Sequence, residues 1–272
     1  MRSMAGKNLG ETLEPARETR IHLCGQLTVR VNGERLEESL PGRQGRMLFA
    51  YLATHRSRAT PRAELMDVLW PEDPPAAAES ALAALLAKLR RVLGDGTVCG
   101  RQEIRLHLPA DAWIDVEAAS DTLHRAESAL AHREWARAWG PSRVALHVAD
   151  REFMPGYAAP WMTAIRERLF VTLVRACECA AAGGLEIGGA EIANAERAAR
   201  RLTGVAPLNE SGCRLLMRAL AARDNIADAL TVYERLRTAM REELGASPSP
   251  ATQELHRQLL QGGRSRHAGS QA

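Results

Sequence analysis

The sequence predicts a mainly α-helical protein in two parts: a small antiparallel sheet with three helices and a hairpin, then an all-α region of helical repeats. Three observations carry that expectation. Alanine, leucine and arginine dominate while aromatics make up only 4% of the 272 residues, which suits helices better than sheets. Strand-like alternation is confined to residues 21–40 and 97–109. From Asp115 onward every apolar pattern has helical spacing, interrupted only by short turns.

The segment "IHLCGQLTVRV" (21–31) has strand character with a break at Gly25, and Asn32-Gly33 is the two-residue signal of a tight hairpin. "ERLEESL" then returns as a weaker partner strand. In "GRQGRMLFAYLATH", Met47, Leu48, Tyr51 and Leu52 recur at helical spacing. Thr60-Pro61 predicts the start of a second helix, with a hydroxyl N-cap and proline at the first position, running to Trp70. Pro71, Pro74 and Pro75 stop it and orient the third. That third helix carries Leu82, Leu85, Leu86, Leu89 and Leu93 on one stripe and ends at Gly94. "TVCGRQEIRLHLP" reads as a second hairpin. Sheet, three helices and hairpin in this order describe a winged helix-turn-helix of the OmpR type, whose third helix enters the major groove.

Beyond Asp115, candidate helices cover 117–131, 134–149, 160–182, 185–203, 207–223, 225–243 and 251–261, with turns expected at Gly183-Gly184, Pro207-Leu208-Asn209 and Asp224-Asn225. Paired helices with short turns and the spacing Ala229-x-x-x-Tyr233 followed by Pro248 suggest tetratricopeptide-like repeats in degenerate form. The expected organisation is therefore a polar tail (1–20), a DNA-binding domain (21–114), a helical domain (115–261) and a second tail (262–272), both tails disordered.

Placing the leucine stripe of the third helix inward leaves Ala77, Ser80, Ala84, Ala87, Lys88 and Arg91 outward, at 100° per residue. Of these only Ser80, Lys88 and Arg91 can hydrogen-bond a base edge, so low sequence specificity is expected, or readout through thymine methyls and DNA shape. A net charge of +3 makes any polyanion-binding surface a local one. The five cysteines are odd in number and scattered, which fits reduced thiols in a cytoplasm. Cys177-Glu178-Cys179 places its thiols at i and i+2 of a helix, pointing apart, and reads as buried packing. No apolar run is long enough to span a membrane. No metal, cofactor or catalytic constellation is expected: H-E-x-x-H and G-x-S-x-G are lacking, and "GGLEIGG" has neither the strand nor the Lys-Ser/Thr of a phosphate cradle. The chain does not read as an enzyme.

Longer stretches carry a family resemblance. "LPGRQGRMLFAYLATHRSRATPRAELMDVLWPEDPP", followed by a helix ending "LRRVLG", resembles the DNA-binding domain of the streptomycete antibiotic regulatory proteins, the SARP-type activators. "REFMPGYAAPWMTAIRERL" and "NESGCRLLMRALAARDNIADALTVYERLRTAMREELGASPSPATQELHRQLL" are similar to the bacterial transcriptional activator domain of the same family. The resemblance, over residues 20–261, implies an activator of a specialised-metabolite gene cluster. Such a protein would bind double-stranded DNA at promoter direct repeats as a homodimer and contact RNA polymerase. It implies DNA contacts from Arg43 and Arg46 at the first helix, Ser80, Ala84, Ala87, Lys88 and Arg91 on the third, and Arg101 and Gln102 at the wing tip. The alanine-rich third helix keeps one alternative open, a protein-interaction module whose winged helix no longer binds specific DNA.

Overall fold

The computed structural model describes residues 18–269, with the side chains of 263–269 left aside. It divides into two compact units. The first reaches to Ile114 and also takes in Gly156–Pro160; the second comprises Asp115–Pro155 and the chain from Trp161.

Unit 1 opens with β1 (Arg20–His22), β2 (Thr28–Val31) and β3 (Glu34–Arg35), joined as an antiparallel meander. Gly25 (φ 79°) turns β1 back into β2. Asn32 (φ 50°) and Gly33 (φ 91°) form the tight turn into β3, both with the positive φ that such a hairpin requires. Helices α1 (Gly42–Thr54), α2 (Arg62–Leu69) and α3 (Ala78–Leu93) follow. Short strand β4 (Thr60–Pro61) precedes α2, and β5 (Val98–Cys99) and β6 (Glu103–Leu106) form the wing hairpin. Strand β7 (Trp113–Ile114) closes the first sheet by pairing in parallel with β1, giving the order β3-β2-β1-β7. The core beneath it collects Ile21 and Val29 from the sheet, Leu48, Phe49 and Leu52 from α1, and Leu65 from α2, with Leu82, Leu86 and Leu89 from α3, all 2% exposed or less.

Thr60 is a strand residue rather than an N-cap. It pairs with Ile104, and Pro61 with Glu103, adding β4 to the wing in the order β4-β6-β5. Pro61 keeps the backbone extended (φ −60°, ψ 146°), so the helix starts only at Arg62, whose N–H donates to the Gln102 carbonyl at 3.0 Å. Those pairings take the backbone where a cap would need it free.

Unit 2 contains α4 (Asp115–Ala131), α5 (Trp135–Ala149), α6 (Pro160–Ile187), α7 (Glu191–Val205), α8 (Glu210–Ala221), α9 (Ile226–Leu244) and α10 (Pro250–Gly269). Two of its hairpins share one turn. Arg133 and Asp224 each take φ 61°, and the next residue donates back to Ala129 (2.8 Å) or Leu220 (2.9 Å). This recurrence, together with cores shared between successive pairs, is the repeat architecture expected from the sequence. One core joins Leu123 and Ala126 of α4 to Ala145 of α5 and Ala176 of α6. The next joins Ala180 of α6 to Ala198 of α7, Leu216 of α8 and Tyr233 of α9.

Gly183 and Gly184 do not turn the chain. They are buried inside α6, which continues to Ile187, and the turn falls at Gly188 (φ 76°) and Gly189 (φ 56°). A Cβ on Gly184 would stand 3.0 Å from the Ala195 Cβ and 3.1 Å from the Glu191 carbonyl, so glycine here permits α7 to lie close against α6. At the chain's ends, the expected first tail lies outside the described residues up to 17, and Arg20 already belongs to β1. Helix α10 passes 261 and runs to Gly269; residues 270–272 lie outside the described part.

Three expectations follow from this packing. In the wing, Arg90 donates Nε to the Val98 carbonyl (3.0 Å) and Nη2 to the Gly100 carbonyl (2.7 Å). Gly100 has φ 95°, and a Cβ there would lie 1.7 Å from the Glu103 carbonyl oxygen. Arg90→Ala should cost about 1–2 kcal/mol and speed amide exchange at Arg105 and His107, which face β5, and Gly100→Ala should disrupt the hairpin outright; thermal melts and hydrogen exchange read both.

Among the thiols, Cys24, Cys177, Cys179 and Cys213 are buried and only Cys99 is partly exposed. Burial pushes Cys177 and Cys179 up to about 12 and Cys213 to about 11. A disulfide reagent at neutral pH should modify Cys99 alone in the native protein and all five after unfolding.

Buried Glu196 of α7 accepts from Arg200 Nε (2.9 Å) and Arg223 Nη1 (2.6 Å). Burial by itself raises its pKa, but the two arginines outweigh that and hold it below the ordinary 4.5. Its stabilisation is therefore complete above the unfolded value and is lost as pH falls through the lower folded value. Glu196→Ala should cost about 1–2 kcal/mol at neutral pH, and denaturant melts should show that difference shrinking in acid.

Candidate nucleic-acid interface

The third helix is built from two opposed faces. Leu82, Leu86, Leu89 and Leu93 are buried, Leu85 is half-buried, and Ser80, Ala84, Ala87, Lys88 and Arg91 are exposed. No side chain caps α3, and Gly94 (φ 87°) ends it. Lys88 and Arg91, one turn apart, line a shallow cleft of about 450 Å³ with Leu85 and Val92 of α3 and Ser39, Pro41 and Gly42 at the start of α1. No acidic side chain lines this cleft. Neither Lys88 nor Arg91 has a carboxylate or hydrogen-bond partner among the described residues.

The α1 end of the cleft is itself electropositive. Helix α1 has no side-chain cap and no acid in its first turn, which leaves the positive end of its dipole uncompensated. Gly45 packs against Pro41 so closely that a Cβ would stand 2.3 Å from the proline ring, fixing how the chain turns into the helix.

The other expected contacts are distributed differently. Arg43 is exposed but engaged: its Nη1 donates to the Gly156 carbonyl (2.9 Å), and its guanidinium lies 4.5 Å from the Tyr157 ring centroid. Arg46 is half-buried, with Nε enclosed and lacking a partner among the described residues. Arg101 and Gln102 are exposed in the turn between β5 and β6. The structure thus brings Lys88 and Arg91 together, puts Arg101 and Gln102 at the wing tip, and gives Arg43 and Arg46 surroundings of their own.

Three arginines outside the expected set of contacts hold this frame. Arg90 ties the wing to α3. Arg62 at the start of α2 pairs with Glu79 in the first turn of α3 (2.6 Å) and also reaches its carbonyl. Arg105 of β6 donates to the Ser57 carbonyl (3.0 Å). A signal existed for Arg90 alone. It stands four residues after Leu86, on the flank of the leucine stripe, where a long side chain packs inward before its head group emerges.

Comparison with known proteins agrees with this architecture. Residues 114–260 match the family model of the bacterial transcriptional activator domain. The regulatory protein AfsR of Streptomyces coelicolor is 32% identical over 243 residues, which is 89% of this chain and 24% of AfsR. The transcriptional regulatory protein EmbR of Mycobacterium tuberculosis is 28% identical over 260 residues, covering 88% of this chain and 62% of EmbR. This chain therefore spans about a quarter of the length of AfsR. The solved structure of Mycobacterium tuberculosis EmbR in complex with a low-affinity phosphopeptide superposes with a TM-score of 0.66 at 22% identity, over 90% of this chain and 65% of that one, and so shares its fold. The match extends over more than half of the sequence, and the chain belongs to the bacterial transcriptional activator domain family, that of the SARP-type regulators it resembles.

Proposed function

We propose that the protein is a cytoplasmic transcriptional regulator that binds double-stranded promoter DNA through unit 1, with α3 in the major groove and the wing beside it. One observation carries this reading: Lys88 and Arg91 stand exposed on α3 and line a cleft free of acidic side chains that ends at the uncapped start of α1. A phosphate there would meet two cations and a helix N-terminus, an arrangement that favours anions. Ala84 and Ala87 between them add no bulk, so the helix could approach the groove floor closely. The relatives named as a regulatory protein and a transcriptional regulatory protein support the same reading. Its finer points rest on the family resemblance: activation of a specialised-metabolite cluster, binding to direct repeats as a homodimer, and contact with RNA polymerase. Residues 115–261 would serve those partner contacts, helical repeats being suited to protein surfaces.

A second reading, that unit 1 docks proteins rather than DNA, draws on the same alanines. A face with alanine at 84 and 87 offers few hydrogen bonds to bases.

The two readings separate on affinity for a family-like direct repeat and for scrambled DNA, each across a salt series. Lys88→Ala should reduce the salt slope by about 0.9 and weaken both duplexes alike. Arg91→Ala should remove most of the preference for the repeat, at about 1–3 kcal/mol for one lost bidentate guanine contact. Failure of the wild-type protein to bind either duplex at low salt would replace DNA binding with the docking reading.

A further inference from the structure

The outer face of the first sheet carries a row of like charges. In the observed register Arg35 of β3 lies opposite Arg30 of β2, Arg30 opposite Arg20 of β1, and Arg20 opposite Trp113 of β7. Three arginines therefore stand in one row across adjacent strands, all exposed, while Ile21, Val29, Val31 and Ile114 fill the inner face. Like charges directly opposite each other destabilise a sheet, so such a row has a cost wherever no carboxylate offsets it.

The two ends of the row are compensated and its centre is not. Arg20 is paired with Glu18. Arg35 donates Nε to Glu37 (2.8 Å), and the same carboxylate accepts the Val29 N–H (3.2 Å). Arg30 has no acidic partner among the described residues. It opens into a cleft of about 250 Å³ whose lining includes Arg20, Thr28, Arg35 and Glu37. His22 also lines this cleft and packs ring to ring with Trp113 at 4.8 Å, and the Arg20 guanidinium lies 5.7 Å from the Trp113 centroid.

We propose that this row is a docking site for a short acidic peptide segment of a partner protein, with one carboxylate on Arg30 and an apolar side chain against the His22–Trp113 pair. Charge complementarity selects the occupant. Glu18 and Glu37 flank the row and would repel the successive phosphates of a nucleic-acid backbone, whereas a peptide presents one isolated carboxylate and then neutral residues. The spacing narrows the sequence class. Strands β2 and β7 are separated by β1, so Arg30 and Trp113 stand about 10 Å apart, a distance that a peptide in the polyproline II conformation, at about 3.1 Å per residue and about three residues per turn, covers in about three residues with both side chains on one face. The segment is thus acidic at one position and apolar three positions away.

The test uses the full chain and two fluorescein-labelled short peptides, one with Glu and Leu three positions apart and one with Gln in place of Glu. Anisotropy at low salt should show the Glu peptide binding about fivefold more tightly. Arg30→Thr should abolish that preference while leaving the melting temperature unchanged or higher, because threonine suits a strand and relieves the row. Four results would overturn the proposal. The wild type could show no preference, the variant could keep it, or the variant could melt at a lower temperature, which makes the row structural. Finally, Arg30→Thr could weaken binding to a random-sequence duplex and flatten its salt slope, which makes the row a phosphate contact instead.

Discussion

The burial of Leu82, Leu86, Leu89 and Leu93 along one side of α3 governs what unit 1 can present. A helix advances 100° per residue, so sinking those four leucines into the core leaves no freedom about the opposite face. Ser80, Ala84, Ala87, Lys88 and Arg91 are displayed because the leucines are hidden. The flank between the two faces belongs to Arg90, whose position beside the stripe lets one guanidinium bond two carbonyls of the wing. Helix α3 and the wing are consequently one structure, with a single hydrophobic constraint behind both.

In unit 2 the corresponding constraint is the size of the side chains between helices. Ala180, Ala181, Ala198, Ala199 and Ala229 populate one of its cores, and Gly184 adds a contact at which even a methyl group would be tight. Small residues let helix backbones approach, and the dispersion gained grows with the number of atoms in contact. The larger side chains, Leu216, Leu220 and Tyr233, then fill the spaces where successive pairs meet. Polar groups fasten the later turns. Asn209 caps α8 by accepting the Gly212 N–H, and Glu210 accepts from the Ser249 backbone and hydroxyl and from Thr252 at the start of α10.

Much of this was legible in the sequence. Periodicity is a property of single elements, and each helix of unit 2 answers to an apolar stripe visible in the chain. The Asn32-Gly33 hairpin was equally readable, because positive φ at two successive residues is a demand that few residue pairs meet. What escaped was pairing at a distance. Strand β7 has two residues, and nothing local distinguishes Trp113-Ile114 from a loop until β1 lies beside it. Thr60-Pro61 satisfied a helix-start rule and yet joined the wing, since a partner strand more than forty residues later was available to it. Gly183-Gly184 satisfied a turn rule and yet stayed helical, because the reason for glycine was the neighbouring helix. The candidate interface divides in the same way. Exposure of Lys88 and Arg91 follows from periodicity, whereas the engagement of Arg43 with Gly156 and Tyr157 depends on residues more than a hundred positions away.

The short strand ahead of α2 gives unit 1 a mechanical property. Through Thr60, Pro61 and the Arg62 N–H, the start of α2 is hydrogen-bonded to the β6 side of the hairpin, and Arg90 grips the β5 side from α3. Arg62 in turn holds the first turn of α3 through Glu79. These links form a closed loop of force: hairpin to α2, α2 to α3, α3 back to the hairpin. A load applied at Arg101 or Gln102 is therefore shared by both helices instead of bending the hairpin on its own.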